Sequence, residues 1–150
     1  MPNEPTDTHR PGTREDIGFL LAKASQHWNE LLAERFSERG YDEVRPSYGS
    51  LLIPLFEQDG LRMGQLADRA RLSKQTMTTM VRLLERDGLV VRERDPADAR
   101  AYRVSLTPRA RGFRPVSQEV LRELHDEVGE RLGRQTRAAL ATALKEVMEL

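Results

Sequence analysis

The feature that most constrains this chain is a change in apolar spacing at Gly88. Before it, residues 73–87 place apolar side chains at three- and four-residue steps, which predicts an amphipathic helix capped by Ser73. After it, apolar and polar residues alternate over 89–106, which predicts a β-hairpin. A shorter helical stretch, 63–70, precedes the capped helix across a tight turn. A helix, a turn, a second helix and a hairpin in this order are typical of a winged helix-turn-helix.

The capped helix has a polar face opposite its predicted apolar face. The apolar positions are Met77, Met80, Val81 and Leu84. The opposite face carries hydroxyl, amide and cationic groups that can donate to phosphate oxygens and base edges of DNA. We predict Gln75 as a partner for an adenine edge, and Thr76 or Thr78 as a contact to a thymine methyl group. The predicted DNA contacts of this helix are Ser73, Lys74, Gln75, Thr76, Thr78, Thr79 and Arg82.

The hairpin adds a second set of candidate DNA contacts. We interpret Asp98 as pinning the guanidinium of Arg100, so that this cation is oriented toward a narrow minor groove. Arg92, Arg94 and Arg103 are expected to follow the DNA backbone beside it. The alternative is an ordinary solvated turn made of turn-forming residues.

Charge is unevenly distributed along the chain. The net charge is zero, from 24 basic and 24 acidic residues, but residues 60–115 hold 13 basic and 6 acidic residues and so carry +7. The remainder of the chain carries −7. A basic middle segment favours a polyanionic partner. The alternative is a solvated charged surface in a chain that prefers arginine to lysine.

The flanking segments predict dimerisation. Residues 1–12 have the composition of a disordered tail. A long helix capped by Thr13 should run to Gly40, followed by a helix that opens at Pro46 and kinks at Pro54. The apolar stripes of this long helix and of the last predicted helix both require a partner. We therefore predict a mainly α fold with a minor α+β part, divided into an N-terminal dimerisation helix (13–44), a winged helix-turn-helix DNA-binding domain (45–107) and C-terminal dimerisation helices (108–150).

Three motifs resemble the MarR family of bacterial transcriptional regulators. They are LSKQTMTTMVRLLERDGLV at 72–90, DPADARA at 95–101 and VSLTP at 104–108. The resemblance implies that the Ser73 helix is the recognition helix, that the hairpin is the wing, and that the terminal helices form an intertwined homodimer. Two-fold symmetry then implies a pseudo-palindromic operator with half-sites roughly one helical turn apart.

The same resemblance implies a repressor that a small, aromatic or anionic effector releases from DNA. The candidate effector-binding residues are His27, Trp28, Arg45, Tyr48 and Phe56. Trp28 has an alternative interpretation as a packed residue of the dimer core. A chain without cysteine cannot sense peroxide through a thiol. The histidines lack the spacing of metal ligands, so neither a metal site nor a cofactor is expected.

Other function classes find little support in the sequence. There is no glycine-rich phosphate loop and no spacing typical of a catalytic arrangement, so we do not expect an enzyme. The longest apolar run, 51–56, is too short to cross a bilayer and no hydrophobic leader is evident, which favours a cytoplasmic bacterial protein, nucleoid-associated when bound to DNA. The alternative function is a winged-helix module that binds proteins and lacks sequence-specific DNA binding.

Overall fold

The computed structural model describes residues 9–150, so residues 1–8 of the predicted disordered tail lie outside the described residues. The chain divides into two compact units, one ending at Ser47 and one running from Tyr48 to Leu150.

The first unit contains the long helix α1, Ile17–Glu38. Its cap is Asp16 and not the predicted Thr13: the Asp16 carboxylate accepts hydrogen bonds from the backbone N–H groups of Gly18 (2.9 Å) and Phe19 (3.4 Å). The Thr13 hydroxyl instead donates to the Arg10 carbonyl (2.7 Å) and closes a preceding turn. The prediction was three residues early because both residue types cap helices well.

The second unit is a helical body with one small sheet. A single 3₁₀ turn at Pro46–Tyr48 precedes it, so Pro46 does not open the α-helix as predicted. The elements that follow are α2 (Gly49–Glu57), β1 (Leu61–Arg62), α3 (Met63–Ala70), α4 (Lys74–Arg86), β2 (Val90–Asp95), β3 (Asp98–Leu106), α5 (Pro108–Leu132) and α6 (Arg134–Val147). The three strands are antiparallel in the order β1-β3-β2. The predicted mainly α fold with a winged helix-turn-helix is confirmed.

The core of this unit lies beneath α4 and the sheet. Met77, Val81 and Leu84 of α4 are buried as predicted, whereas Met80 is half-buried. They share the core with residues from every other element except α6: Leu51, Leu55, Leu61, Leu66, Val90, Val104 and Phe113. Apolar burial therefore fixes the position of α4.

The last two helices differ in burial. α5 begins at Pro108 after the predicted cap Thr107, whose hydroxyl oxygen accepts from the Ala110 N–H (3.2 Å), and it contributes buried side chains. α6 has no buried residue. Across residues 9–150, no helix is both long and apolar enough to span a membrane.

Candidate nucleic-acid interface

The turn between α3 and α4 is closed by backbone hydrogen bonds and by a cap. Arg71 takes a left-handed conformation (φ 53°) that ends α3, and the Leu72 N–H donates to the Ala67 carbonyl (3.1 Å). Ser73 then begins α4: its hydroxyl oxygen accepts from the Thr76 N–H (3.2 Å). The first turn of α4 contains no acidic residue. Its free N–H groups therefore form a positive helix end suited to an anion.

The predicted contact residues of α4 lie on its exposed face. Thr78 is half-buried and the others are exposed. The Thr78 hydroxyl donates to the Lys74 carbonyl (2.9 Å), and the Thr79 hydroxyl donates to the Gln75 carbonyl (3.1 Å). Because these protons are used inside the helix, both threonines offer an acceptor oxygen and a methyl group to a ligand.

The hairpin carries its turn at Pro96 and Ala97, between β2 and β3. The Asp98 carboxylate accepts from the backbone N–H of Arg100 (3.0 Å). This corrects the expectation that Asp98 pins the guanidinium of Arg100. The short Asp98 side chain reaches the backbone N–H two residues along its own strand more easily than it reaches the guanidinium, which lies at the end of a long, solvated side chain. Both residues are exposed.

The predicted backbone-tracking arginines are not equivalent. The Arg92 guanidinium lies 2.6 Å from the Glu85 carboxylate of α4 and 5.9 Å from the ring centre of Tyr102. The contact between Arg92 and Glu85 is an ion pair without a hydrogen bond, because the buried Glu85 Oε1 accepts no hydrogen bond from any residue in 9–150. Arg103 Nε lies 3.2 Å from Asp95 Oδ2. By contrast, α4 and the hairpin carry four exposed cations that have no ion pair with any described residue: Lys74, Arg82, Arg94 and Arg100.

Asp95 is the residue of this region that sequence reasoning missed. The sequence placed it in a polar tip, yet it is 3% exposed. Its carboxylate accepts from the Ala97 N–H (2.9 Å) and from Arg62 Nε (2.5 Å), and it pairs with Arg103. These contacts hold the pKa of Asp95 below its usual value, chiefly through the Ala97 hydrogen bond, against an opposing effect of burial. Arg62 is brought near only because the two-residue strand β1 pairs with β3.

The C-terminal end of α4 has its own polar anchor. The buried Tyr48 hydroxyl donates to the Asp87 carboxylate, and Arg86 Nε donates to the same carboxylate (3.1 Å). The hydrogen bond and charge of Asp87 raise the pKa of Arg86 above its already high value. The recognition candidate α4 is thus fixed at both ends.

The candidate effector residues are divided between the two units. In the first, His27 is exposed and lies 3.6 Å from the Glu30 carboxylate, Trp28 is half-buried, and Arg45 is exposed. In the second, Tyr48 is buried, and the half-buried Phe56 ring has the Arg114 guanidinium 5.7 Å from its centre. Their role in binding an effector stays a prediction. Residues 9–150 contain no group of three or more acidic or histidine side chains placed to hold a metal ion.

Comparison with known proteins finds transcriptional regulators that are similar to this chain in sequence and in fold. A family model described as MarR family matches residues 46–102. A curated relative, the HTH-type transcriptional regulator TtmR of Methylorubrum extorquens (strain PA1), is 36% identical over 69 residues, which cover 46% of this chain. The match spans about a third (35%) of that relative's length.

Solved structures match over most of the chain. A probable transcriptional regulator from Pseudomonas aeruginosa has a TM-score of 0.75 and 27% identity, covering 87% of this chain and 96% of its own. The transcriptional repressor CouR, bound to a 23-mer DNA duplex, has a TM-score of 0.75 and 26% identity, covering 89% of this chain and 93% of its own. These relatives are described as regulators and not as enzymes, in agreement with the expectation from sequence.

Proposed function

We propose that this chain is a transcriptional regulator of the MarR family, and that it binds duplex DNA with α4 in the major groove and the β2–β3 wing against the adjacent minor groove. The observation that carries the proposal is a set of exposed cations that form no ion pair with any residue in 9–150: Lys74 and Arg82 on α4, and Arg94 and Arg100 on the wing. Free cations gain phosphate contacts without first breaking an ion pair. The relative CouR, which shares this fold, is bound to a DNA duplex.

We further propose that the regulator acts as a homodimer. Apolar side chains at both ends of the chain are between 40% and 63% exposed: Ile17, Phe19, Leu20, Leu140, Leu144, Val147 and Met148. Exposed apolar stripes of this kind favour a protein partner, and a second copy of the chain supplies the same stripes. A two-fold dimer would bind a pseudo-palindromic operator with half-sites roughly one helical turn apart.

A salt titration tests DNA binding against the alternative of a protein-interaction module. The affinity of the purified protein for a duplex selected from a random-sequence pool should fall steeply with salt, because phosphate contacts release counterions. Weak binding with no salt dependence would contradict the proposal and favour the protein-interaction module. Sedimentation of the same sample as a monomer at micromolar concentration would contradict the dimer.

We also propose that the protein represses transcription and that a small aromatic anion releases it from DNA. An exposed cation, Arg45, and a half-buried aromatic residue, Trp28, are the kinds of group that such a ligand needs. Trp28 is the only tryptophan, so its fluorescence reports binding directly. Benzoate should change this fluorescence and weaken DNA binding over the same concentration range. Release of DNA without a fluorescence change would place the effector away from Trp28.

A further inference from the structure

We infer that Asp95 is the positioning residue of the wing: through Arg62 it ties the hairpin tip to the start of α3, and so it sets where Arg100 meets DNA. This inference rests on the proposed DNA-binding function. Asp95 is buried, so it is not itself a candidate DNA contact, and it adds negative charge to a basic segment of the chain.

The burial of Asp95 sets it apart from the other wing acids. Its side chain is fully buried, whereas the side chains of its partners Arg62 and Arg103 are 43% and 45% exposed. Glu93 and Asp98 of the same hairpin are exposed. A buried carboxylate needs several donors to offset the loss of hydration, and Asp95 has the Ala97 N–H and two guanidinium groups.

Strand register explains why two arginines converge on this carboxylate. Arg62 on β1 and Arg103 on β3 are direct cross-strand partners, as are Glu93 and Arg103. Like charges in such a pair repel unless an anion lies between them. The Asp95 carboxylate lies between the two arginines, with Oδ2 2.5 Å from Arg62 Nε and 3.2 Å from Arg103 Nε. Asp95 thus neutralises a repulsive pair that links β1 to the wing.

Arg62 is itself fixed by the helix-turn-helix. Its backbone N–H donates to the Gln65 side chain of α3 (3.1 Å), and it immediately precedes Met63, the first residue of α3. A displacement of α3 therefore moves Arg62 and, through it, Asp95.

The chain of contacts continues from Asp95 through Asp98 to Arg100. Asp95 pairs with Asp98 at the irregular end of the hairpin, and Asp98 holds the backbone N–H of Arg100. The orientation of Arg100 relative to α3 and α4 is therefore set by the hairpin tip that Asp95 anchors.

Two acid-to-amide variants separate positioning from net charge. Asp95→Asn and Glu93→Gln each remove one negative charge from the same strand, and loss of negative charge beside DNA by itself strengthens binding. We expect Asp95→Asn to raise the Kd for the duplex selected by the wild-type protein roughly tenfold, and Glu93→Gln to leave it equal or lower. Equal effects of the two variants would overturn the inference.

A third variant covers the case in which Asp95→Asn fails to fold, as judged by its circular dichroism and thermal unfolding. Arg62→Lys keeps the charge but loses the fixed guanidinium contact, so it should raise the Kd in the same direction. Wild-type affinity in Arg62→Lys would overturn the inference.

A double-mutant cycle tests the path to Arg100. In the background of Arg100→Ala, Asp95→Asn should weaken binding much less than roughly tenfold, because both changes remove the same contact. Fully additive effects would overturn this path.

An amide-exchange measurement keeps the inference separate from DNA binding. Asp95→Asn should speed hydrogen exchange at the Ala97 and Arg100 N–H groups while leaving α4 protected. If the wild-type protein binds no duplex, the proposed function fails, whereas unchanged exchange at these two amides overturns the positioning role by itself.

Discussion

The recognition candidate α4 and the wing are held in place by different forces. α4 is fixed mainly by apolar side chains in the core, Met77, Val81 and Leu84, and its exposed face is left free. The wing tip buries one polar side chain, Asp95, and its position depends on hydrogen bonds and ion pairs. Because buried apolar side chains hold α4 in position, substitutions on its exposed face can alter base contacts without displacing the helix. A wing held by a few directional contacts can lose its orientation while the fold survives.

The largest effect should come from the apolar anchor of α4. Leu84→Ala removes a fully buried side chain and should lower the free energy of unfolding by about 2–5 kcal/mol, measured by urea denaturation. The matched change on the wing surface, Arg100→Ala, should alter it by less than about 0.5 kcal/mol. Similar losses of unfolding free energy in the two variants would contradict the proposed difference between α4 and the wing.

Arg100→Ala should instead weaken the binding of DNA. We expect it to weaken binding to the selected duplex by about 1–3 kcal/mol in a gel-shift titration, because it removes an exposed wing cation that has no ion pair with any residue from 9 to 150. The sedimentation coefficient should not change. Unchanged affinity would count against the wing assignment.

Base preference should depend on α4 and not on the wing. Gln75→Ala should relax the sequence motif recovered by selection from a random library, since a bidentate base contact is worth about 1–3 kcal/mol of discrimination. Arg94→Ala should weaken binding to all sequences alike and reduce the salt slope by about one. Identical motifs and slopes for both variants would contradict this division.

The ion pair between α4 and the wing should restrain one cation. Glu85→Gln releases Arg92, so we expect affinity for duplex DNA to rise by about 0.3–1 kcal/mol and the salt slope to steepen. Glu93→Gln is the control, because Glu93 forms no ion pair with any residue in 9–150. An equal gain in both variants would mean that net charge alone is responsible.

The smallest effect should be a change of wing stability with pH. The pKa of Asp95 is lowered below its usual value of 3.8, so its stabilising contribution is complete above that value and is lost as pH falls through the lower folded pKa. The Ala97 amide proton, which donates to Asp95, should report this titration by NMR with a midpoint below 3.8. A midpoint at or above 3.8 would show that the carboxylate is not held in its charged form.

Sequence reasoning recovered the elements whose signals are local. The cap at Ser73, the apolar face of α4, the hairpin and the start of α5 after Thr107 were all predicted from neighbouring residues, and the structure confirms them. The two residues of β1 were missed because so short a strand has no measurable period. Missing β1 meant missing Arg62, and with it the reason that Asp95 is buried.

What the sequence determined by itself was the winged helix-turn-helix, because helix caps, apolar periodicity and turn residues act within a few positions along the chain. Only the tertiary structure decided which arginines are free to meet DNA. Arg92 and Arg103 look like Arg94 and Arg100 in the sequence. In the structure, Arg92 forms an ion pair with Glu85 (2.6 Å) and Arg103 forms one with Asp95 (3.2 Å). Electrostatic pairing falls off over a few ångströms in space, and the chain order does not record the distances between residues on separate elements.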